Sequence, residues 1–365
     1  MKQKKLLIFM PSIEGGGVEK NLFIISNFLA YKIYKVFLIT ASKKYKNKFD
    51  KKIDLILPKL NIWDKLGRRV KYLICLTLLL KKFIIEKNIV VLCFQANIYC
   101  IILCKIFNKK IIVRSNSSPT GWSKNFLKNF IFKKILNKAD QIIVNSLEFK
   151  KELKNRFQVN ARCIYNPLNS KEIIKKSKVF FPKIFKMKKS LKIINIGRYT
   201  EQKDQITLLK SLKILDKKIN YEAVILGKGF LKNKLINYSK ENGLKNKIKF
   251  INFLPNPYPL IKQADIFVLS SAYEGLPNVL LEALTLNKFI ISANCPTGPK
   301  EILLNGKGGL LFKVGNYKQL ANKIIYYFDN KKKCEVKLKN ARNQLHRFDY
   351  SSNLLKYLNL INELI

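Results

Sequence analysis

The stretch DIFVLSSAYEGLPNVLLEAL, residues 265–284, combines the strongest structural and chemical signals in the chain. Its apolar run IFVL is typical of a parallel strand that is buried on both faces. The sequence predicts a helix that begins near Asn278, a suitable N-cap residue, and that carries its apolar side chains on one face. We therefore expect Glu274 in the loop at the carboxyl end of a strand, and Glu282 about one turn into the following helix.

The segment between these two acids predicts an anion site. Its backbone N–H groups would lie at a helix N-terminus, which favours a nearby negative charge by roughly 0.3–1 kcal/mol. A ligand with a phosphate in its middle and hydroxyl groups at both ends would suit this arrangement. The residues that we predict to contact such a ligand here are Gly275, Leu276, Pro277, Asn278 and Val279.

The string EGLPNVLLEA, which runs from Glu274 to Ala283, resembles the signature of the GT-B glycosyltransferases of family 4, the glycosyl transferases group 1 of bacterial cell-surface glycan synthesis. The resemblance implies an α/β fold of two Rossmann-like, doubly wound parallel-sheet lobes that face a central cleft. It also implies that Glu274 holds hydroxyl groups of the transferred sugar and that Glu282 holds the ribose hydroxyls. The alternative is that Glu274 is an ordinary loop acid and Glu282 a solvated acid on the helix, with no ligand at either.

A second pattern, INIGRYTEQKD at residues 194–204, begins in another predicted buried strand and ends at Asp204, which we expect to cap a helix from about Gln205 to Leu215. Arg198 and Lys203 can converge from the two ends of one loop, where a guanidinium and an ammonium group would clamp a diphosphate. The pattern resembles the pyrophosphate site of the family, although a basic pair by chance is the alternative in so lysine-rich a chain. The resemblance also places the later glycine turn that ends at Gly229 near the nucleobase.

The N-terminal half begins with a predicted strand at Lys5–Met10, a glycine loop and a helix. The loop residues Gly15, Gly16 and Gly17 could bring backbone close to a phosphate or sugar. They resemble the glycine loop of the family that faces the donor across the cleft. Strands that alternate with helices through the rest of this half predict a doubly wound parallel sheet.

Polar residues follow the predicted strands of this half, where ligands bind in such sheets. Many family members carry a histidine here, near the reacting sugar, whereas the one histidine of this chain is His346. Gln95, Asn97 and Asn116 are therefore candidates for the contact on the acceptor side. The alternative is that they are ordinary polar loop residues.

Four segments describe the expected domain organisation. Residues 1–168 should form an acceptor-side Rossmann-like domain, and residues 192–345 a nucleotide-sugar-binding Rossmann-like domain. The lysine-rich stretch 169–191 is interpreted as the linker between them. Residues 346–365 are expected to include a helix that, by resemblance, crosses back to the first lobe.

Two basic amphipathic segments, Lys65–Lys87 and Lys124–Lys138, allow two interpretations. Their apolar sides could pack on the sheet, which is the interpretation that we favour. Alternatively, a basic helix with phenylalanine on its apolar side can lie in a lipid interface.

Composition restricts the class of protein. The 365 residues are too many for one ordinary core and suit two domains. The net charge of +48 comes mainly from lysine spread along the chain. A nucleic-acid-binding protein would more typically show clustered arginine with interleaved aromatic residues, so no nucleic-acid partner is expected. The charge should instead draw the protein to anionic membrane surfaces and anionic substrates.

The seven cysteines form no CxxC pair, and no Cys/His cluster predicts a metal site. No signal peptide and no membrane span is predicted. We expect a cytoplasmic protein, peripheral on the inner face of the cytoplasmic membrane.

The resemblance implies a retaining transfer of a hexose or N-acetylhexosamine from a nucleoside-diphosphate sugar, with UDP as the expected nucleotide. The acceptor would be a hydroxyl group of a glycan or lipid-linked molecule in surface polysaccharide or lipopolysaccharide assembly. Arg198, Lys203 and Glu274 are the expected catalytic residues, and no cofactor is required. Two alternatives stay open, which are a nucleotide-sugar epimerase of the same fold and a non-enzymatic basic scaffold that binds membranes or nucleic acid.

Overall fold

A computed structural model of the protein describes residues 5–116 and 125–364. The chain divides into two compact units. Unit 1 comprises the chain up to Pro167 together with the segment from Tyr350 onward, and unit 2 comprises Leu168–Asp349.

Thirteen strands are present among the described residues. They are β1 (Lys5–Phe9), β2 (Lys35–Ile39), β3 (Ile53–Ile56), β4 (Val90–Cys93), β5 (Lys110–Arg114), β6 (Gln141–Val144), β7 (Arg162–Cys163), β8 (Leu191–Ile196), β9 (Tyr221–Leu226), β10 (Ile248–Ile251), β11 (Ile266–Leu269), β12 (Phe289–Ala293) and β13 (Leu310–Phe312).

The described residues also form fourteen α-helices. They are α1 (Gly17–Ala30), α2 (Arg68–Ile85), α3 (Asn97–Ile106), α4 (Phe126–Leu136), α5 (Leu147–Phe157), α6 (Ser170–Ser177), α7 (Gln205–Leu215), α8 (Lys232–Glu241), α9 (Tyr258–Gln263), α10 (Asn278–Thr285), α11 (Pro299–Ile302), α12 (Tyr317–Asp329), α13 (Lys331–Asn343) and α14 (Tyr350–Asn362).

Each unit is built on one parallel sheet with helices along its chain connections. The order in unit 1 is β3-β2-β1-β4-β5-β6-β7, and the order in unit 2 is β10-β9-β8-β11-β12-β13. All strand pairs are parallel, so the predicted pair of doubly wound sheets is confirmed. The order reverses between β1 and β4 and between β8 and β11. Loops that leave the carboxyl ends of such neighbouring strands form the usual ligand site of these sheets.

The predicted start of α10 needs one correction. The helix begins at Asn278, but its N-cap is Pro277, which has an extended backbone with φ −72° and ψ 103°. The proline ring fixes φ at this value, so Pro277 is suited to the last position before the helical turns. Asn278 is therefore the first helical residue and not the cap. By contrast, the predicted cap of α7 is confirmed, because the Asp204 carboxylate accepts a hydrogen bond from the Thr207 backbone N–H.

The two basic amphipathic segments behave differently. Helix α2 buries Cys75, Leu79 and Phe83, so the packing interpretation is confirmed for its inner side. Helix α4 packs one side against the core of unit 1 but leaves Leu127 and its neighbours Phe130 and Ile131 exposed. Lys124, the first residue of the second segment, lies outside the described residues. The hydrophobic pattern alone does not distinguish these outcomes, because it shows an apolar side and not what covers it.

The stretch 169–191, interpreted from sequence as a linker, lies in unit 2 and contains α6. Several hydrogen bonds attach it to the rest of that unit. The Lys176 carbonyl accepts a hydrogen bond from the Asn256 side chain at 3.0 Å. The buried Glu222 carboxylate accepts hydrogen bonds from the backbone N–H groups of Lys186 and Met187 at 3.0 and 2.8 Å.

The C-terminal helix α14 belongs to unit 1, where Leu354, Leu360 and Ile361 join the core. A buried arginine ties this helix to the sheet. Arg114, at the end of β5, donates from Nε to the Tyr357 hydroxyl at 2.8 Å and from a terminal nitrogen to Asn166 Oδ1 at 2.7 Å. A buried charge must be hydrogen-bonded, so these acceptors are expected to stabilise unit 1.

Replacing Tyr357 with phenylalanine should lower the free energy of unfolding by about 2 kcal/mol, because a buried charged donor loses its acceptor. Urea denaturation measures this change. The control is Leu355→Ala on the same helix, where the leucine is 48% exposed and the expected change is below about 0.5 kcal/mol. Equal stabilities for the two variants would contradict a stabilising role for the Arg114–Tyr357 hydrogen bond.

Candidate active site

An ion pair joins two loops at the carboxyl ends of the neighbouring strands β8 and β11. Lys203 Nζ lies 2.5 Å from Glu274 Oε1. Lys203 ends a short 3-10 turn after β8, and Glu274 lies in the loop before α10. Glu274 is only 6% exposed, and a buried carboxylate is costly without a cation or hydrogen-bond donors. The structure therefore brings together two residues that the sequence assigned to different parts of a ligand.

Backbone and side-chain hydrogen bonds hold these two loops against each other. The Gln202 carbonyl accepts from the Ala272 backbone N–H at 2.8 Å, and the Lys203 carbonyl accepts from the Ser270 hydroxyl at 2.8 Å. The Gln202 side chain donates to the Tyr273 carbonyl at 3.0 Å. This network fixes the loops before any ligand binds, which is the kind of preorganisation that an active site needs.

Gln202 is the main residue that sequence reasoning missed. Besides its bond to Tyr273, its Oε1 lies 3.4 Å from a terminal nitrogen of Arg198. Arg198 is exposed, and its carbonyl accepts from the buried Gln205 side chain at 3.0 Å. Gln202 thus connects the arginine of the first loop to the loop that carries Glu274. Its partner Tyr273 is 71 positions away in sequence, so no local pattern could have indicated the contact.

Gly197 and Gly229 allow other atoms of these loops to approach the backbone closely. A Cβ atom on Gly197 would lie 3.2 Å from Cγ and Cδ of Lys203, so the glycine makes room for the lysine stem. A Cβ atom on Gly229 would lie 2.4 Å from the Tyr199 carbonyl oxygen, and φ at Gly229 is +155°. Gly229 therefore has a packing function against the β8 loop. Its predicted proximity to a nucleobase stays a prediction.

Glu282 and its surroundings form the other side of the site. It lies one turn into α10, as the sequence predicted, and is 5% exposed. The Tyr258 hydroxyl is 3.5 Å from Glu282 Oε1. The Thr297 hydroxyl donates to the Glu274 carbonyl at 2.7 Å, so the loop after β12 supports the start of the segment Gly275–Val279. Arg198, Lys203, Glu274 and Glu282 thus lie on the loops after the neighbouring strands β8 and β11 and on helix α10 of unit 2.

The backbone of the glycine loop in unit 1 donates hydrogen bonds to Glu19, an acid in the first turn of α1. The Glu19 carboxylate accepts from the Gly16 backbone N–H at 2.9 Å and from the Glu14 backbone N–H at 3.3 Å. Gly15 has φ +80°, a backbone conformation that glycine adopts without strain, and Gly17 begins α1. An internal carboxylate thus occupies the N-terminus of α1. The predicted role of this loop toward a donor is not tested by these contacts.

The three acceptor-side candidates also lie in unit 1, and the side chain of each forms a hydrogen bond with a backbone group. Gln95 Oε1 accepts from the Ser12 backbone N–H at 2.9 Å. Asn97 donates to the Arg114 carbonyl at 3.2 Å, and Asn116 donates to the Phe94 carbonyl at 2.9 Å. These contacts fit the interpretation as loop polar residues and leave a role toward an acceptor as a prediction.

Neither a metal-binding cluster nor a membrane-spanning helix is present in the described residues. No group of three or more His, Cys, Asp and Glu side chains in residues 5–116 and 125–364 is arranged to hold a metal ion. None of the helices in the same ranges combines the length and the apolar composition that a membrane crossing requires.

Comparisons with known proteins identify the class. Residues 176–344 match the sequence model of the family described as Glycosyl transferases group 1. The match covers 169 of the 365 residues, all within unit 2, so unit 2 is similar to this family of transferase enzymes. The two parallel-sheet units have the GT-B fold.

Relatives and solved structures agree with this assignment. The chain is 36% identical over 217 residues to the uncharacterized glycosyltransferase MJ1059 of Methanocaldococcus jannaschii, a match that covers 56% of this chain and 53% of that protein. It is 26% identical to the Campylobacter jejuni enzyme named GalNAc-alpha-(1->4)-GalNAc-alpha-(1->3)-diNAcBac-PP-undecaprenol alpha-1,4-N-acetyl-D-galactosaminyltransferase, with 98% of both chains covered.

Two solved structures are similar in fold. Alr3699/HepE of Anabaena, in complex with UDP-glucose, has a TM-score of 0.78 at 16% identity and covers 99% of this chain and 100% of its own. Sucrose-phosphate synthase of Thermosynechococcus elongatus has a TM-score of 0.81 at 15% identity, with 99% of both chains covered.

Replacing Lys203 with alanine should lower the free energy of unfolding by about 2 kcal/mol, because the buried Glu274 carboxylate loses its cation. The double variant K203A/E274Q should regain part of this loss, since a neutral amide is cheaper to bury. Chemical denaturation of the single and double variants measures the coupling between the two sites. The exposed lysine variant Lys234→Ala is the control. Strictly additive losses for Lys203→Ala and Glu274→Gln would contradict the pairing.

Proposed function

We propose that this glycosyltransferase moves a hexose or N-acetylhexosamine from a UDP-sugar to a hydroxyl group of a lipid-linked glycan, with retention of the anomeric configuration. The observation that carries the proposal is the Lys203–Glu274 ion pair, held between the β8 and β11 loops beside the start of α10. It puts a cation for phosphate and an acceptor for hydroxyl groups at the usual ligand edge of the sheet.

The departing diphosphate is the charge that must be stabilised in such a transfer. Lys203 and Arg198 supply cationic donors from one loop, and the N-terminus of α10 favours negative charge. The positive charge of Lys203 is balanced by the negative charge of Glu274 in the ion pair. A bound diphosphate would therefore share Lys203 with Glu274, while the other carboxylate oxygen of Glu274 would accept hydrogen bonds from hydroxyl groups of the sugar.

Glu282 is proposed to hold the ribose hydroxyls of the nucleotide. Its carboxylate is buried one turn beyond the predicted phosphate segment. The Tyr258 hydroxyl lies 3.5 Å from one carboxylate oxygen, which helps to orient the group. A ligand that lacks a ribose hydroxyl would forgo its hydrogen bond to this carboxylate, so it should bind more weakly than one that has the hydroxyl.

The chemical step needs no nucleophilic side chain. The bond from the anomeric carbon to the diphosphate oxygen breaks, and a bond from the same carbon to the acceptor oxygen forms on the same face. The leaving phosphate takes the proton of the acceptor hydroxyl. The residues of unit 2 contribute by stabilising charge and by orienting the donor. The match of residues 176–344 to a transferase family favours this reaction over epimerisation and over a non-enzymatic scaffold.

The nucleotide and the acceptor are proposed from similar proteins. Complexes of Alr3699/HepE with UDP and with UDP-glucose support a UDP-linked donor. The Campylobacter jejuni relative is named for an undecaprenol-diphosphate-linked acceptor, which supports a lipid-linked glycan in surface polysaccharide assembly. We accordingly propose that the protein acts at the inner face of the cytoplasmic membrane. Its net charge of +48 favours binding to an anionic surface.

UDP should raise the melting temperature of the protein more than GDP, ADP or CMP do, and the rise should persist at physiological salt. A ligand at about 100 times its dissociation constant stabilises the folded state by about 2.7 kcal/mol. Lys203→Ala should greatly reduce the shift, whereas Lys234→Ala should retain it. Weak, equal shifts that salt abolishes would report only the net charge and would remove the support for a donor site.

Lys203→Ala and Glu282→Ala should each reduce transfer from a UDP-sugar by about 100-fold or more, since each removes a preorganised contact to the donor. Transfer of a radiolabelled sugar to a lipid-linked acceptor measures the effect. Circular dichroism should show that both variants are folded. The exposed acid variant Glu241→Ala is the control for Glu282→Ala. Wild-type-like turnover in either site variant would refute the assigned site.

A further inference from the structure

A strained threonine lies in the loop after β12, against the segment that precedes α10. Thr297 has φ +61°, a left-handed backbone conformation that is an outlier for a β-branched residue. It is also buried, with 5% of its surface exposed. Residues in such conformations persist only where the surrounding structure holds them there, and they cluster at functional sites. The side chain of Thr297 should therefore have a function that a glycine, which adopts this φ without strain, could not supply.

The Thr297 hydroxyl contacts two consecutive carbonyl groups of the loop after β11. Its oxygen donates to the Glu274 carbonyl at 2.7 Å and lies 3.3 Å from the Gly275 carbonyl oxygen. The next residue, Gly298, also packs on this loop, because a Cβ atom there would lie 2.0 Å from the Gly275 carbonyl oxygen. Both carbonyl groups are therefore directed toward the loop after β12.

The direction of these carbonyl groups determines where the next two N–H groups point. In a trans peptide unit the C=O and N–H groups point in opposite directions, so the N–H groups of Gly275 and Leu276 face away from Thr297. Strand β11 lies between β8 and β12 in the sheet. A group on the β11 loop that faces away from the β12 loop therefore faces the side of the β8 loop, which carries Arg198 and Lys203.

The N–H group of Gly275 indicates a ligand on that side. Gly275 is buried, and among residues 5–116 and 125–364 no protein atom accepts a hydrogen bond from its N–H group. Buried backbone donors are almost always paired, with protein, water or a ligand. An anionic oxygen atom held beside Arg198 and Lys203 would supply the acceptor.

We propose that Thr297 is a positioning residue, which directs the N–H groups of Gly275 and Leu276 at the departing diphosphate. The proposal rests on the proposed function, because this diphosphate is that of the UDP-sugar donor. Negative charge grows on the diphosphate as its bond to the sugar breaks, so fixed N–H donors stabilise the transition state more than the bound donor. Loss of the Thr297 hydroxyl should accordingly lower kcat more than it raises KM.

The variant T297V removes the hydroxyl and keeps the branched shape of the side chain. It should lower kcat for transfer from a UDP-sugar by about tenfold and change KM by less than about threefold. In isothermal titration calorimetry it should bind UDP about tenfold more weakly, because the N–H donors no longer point at phosphate. It should bind uridine, which has no phosphate, like the wild type. T297S retains a hydroxyl and should keep kcat and UDP affinity within about twofold of the wild type.

Thr285 on α10 offers a matched control for the loss of a buried hydroxyl. Its side chain is buried and donates to a backbone carbonyl, that of Leu281 at 2.9 Å. T285V should lower the melting temperature as T297V does, but it should keep the kcat and the UDP affinity of the wild type. T297G is a second variant without the hydroxyl, in which glycine adopts the positive φ without strain. It should show the same selective loss of UDP affinity, even if T297V does not fold.

Three results would overturn the positioning role of Thr297. They are wild-type UDP affinity in the folded variants that lack the hydroxyl, an equal weakening of UDP and uridine, and a loss in T297S as large as that in T297V. In each case UDP binding and transfer by the wild type would leave the proposed function standing. If the wild type neither binds UDP nor transfers sugar from a UDP-sugar, the proposed function fails, and the positioning role fails with it.

Discussion

The burial of Glu274 is the constraint on which the site of unit 2 depends. A carboxylate with 6% exposure needs a cation or hydrogen-bond donors, and Lys203 supplies the cation from a loop that three hydrogen bonds hold against the loop of Glu274. A Cβ atom on Gly197 would lie 3.2 Å from the lysine stem, so a glycine there leaves room for the lysine. The buried charge therefore links the loop geometry, the nearby glycine and the position of the proposed phosphate cation. Binding and folding use the same pair of residues, so changes at either residue affect both.

The sequence predicted the parts of this protein that depend on local pattern. The uninterrupted apolar run IFVL predicted β11, because a parallel strand covered on both faces needs apolar side chains throughout. Asp204 was recognised as a cap, because capping involves residues three positions apart. Glu282 was placed one turn into α10 by helical spacing alone. At Pro277, however, the fixed backbone of proline displaced the predicted cap by one residue.

What the sequence could not predict depends on distances across the fold. Gln202 contacts Tyr273 across 71 positions, and Lys203 pairs with Glu274 across the same separation. Both pairs are set by the order of strands in the sheet, which amphipathic patterns do not specify. The exposed side of α4 is a similar case, since a helix with apolar side chains around most of its surface can bury only the part that the sheet covers. The family resemblance supplied candidate roles, and the structure supplied the contacts among the candidates.

The order in which the chain is made has a consequence for how unit 1 forms. Unit 2 is continuous in sequence, whereas the core of unit 1 includes Leu354 and Ile361 of α14, which follow the whole of unit 2. The core of unit 1 can therefore be completed only after the whole of unit 2 has been synthesised. Until α14 is made, Arg114 lacks the Tyr357 hydroxyl. Unit 1 thus depends on the last part of the chain for its core, whereas unit 2 does not.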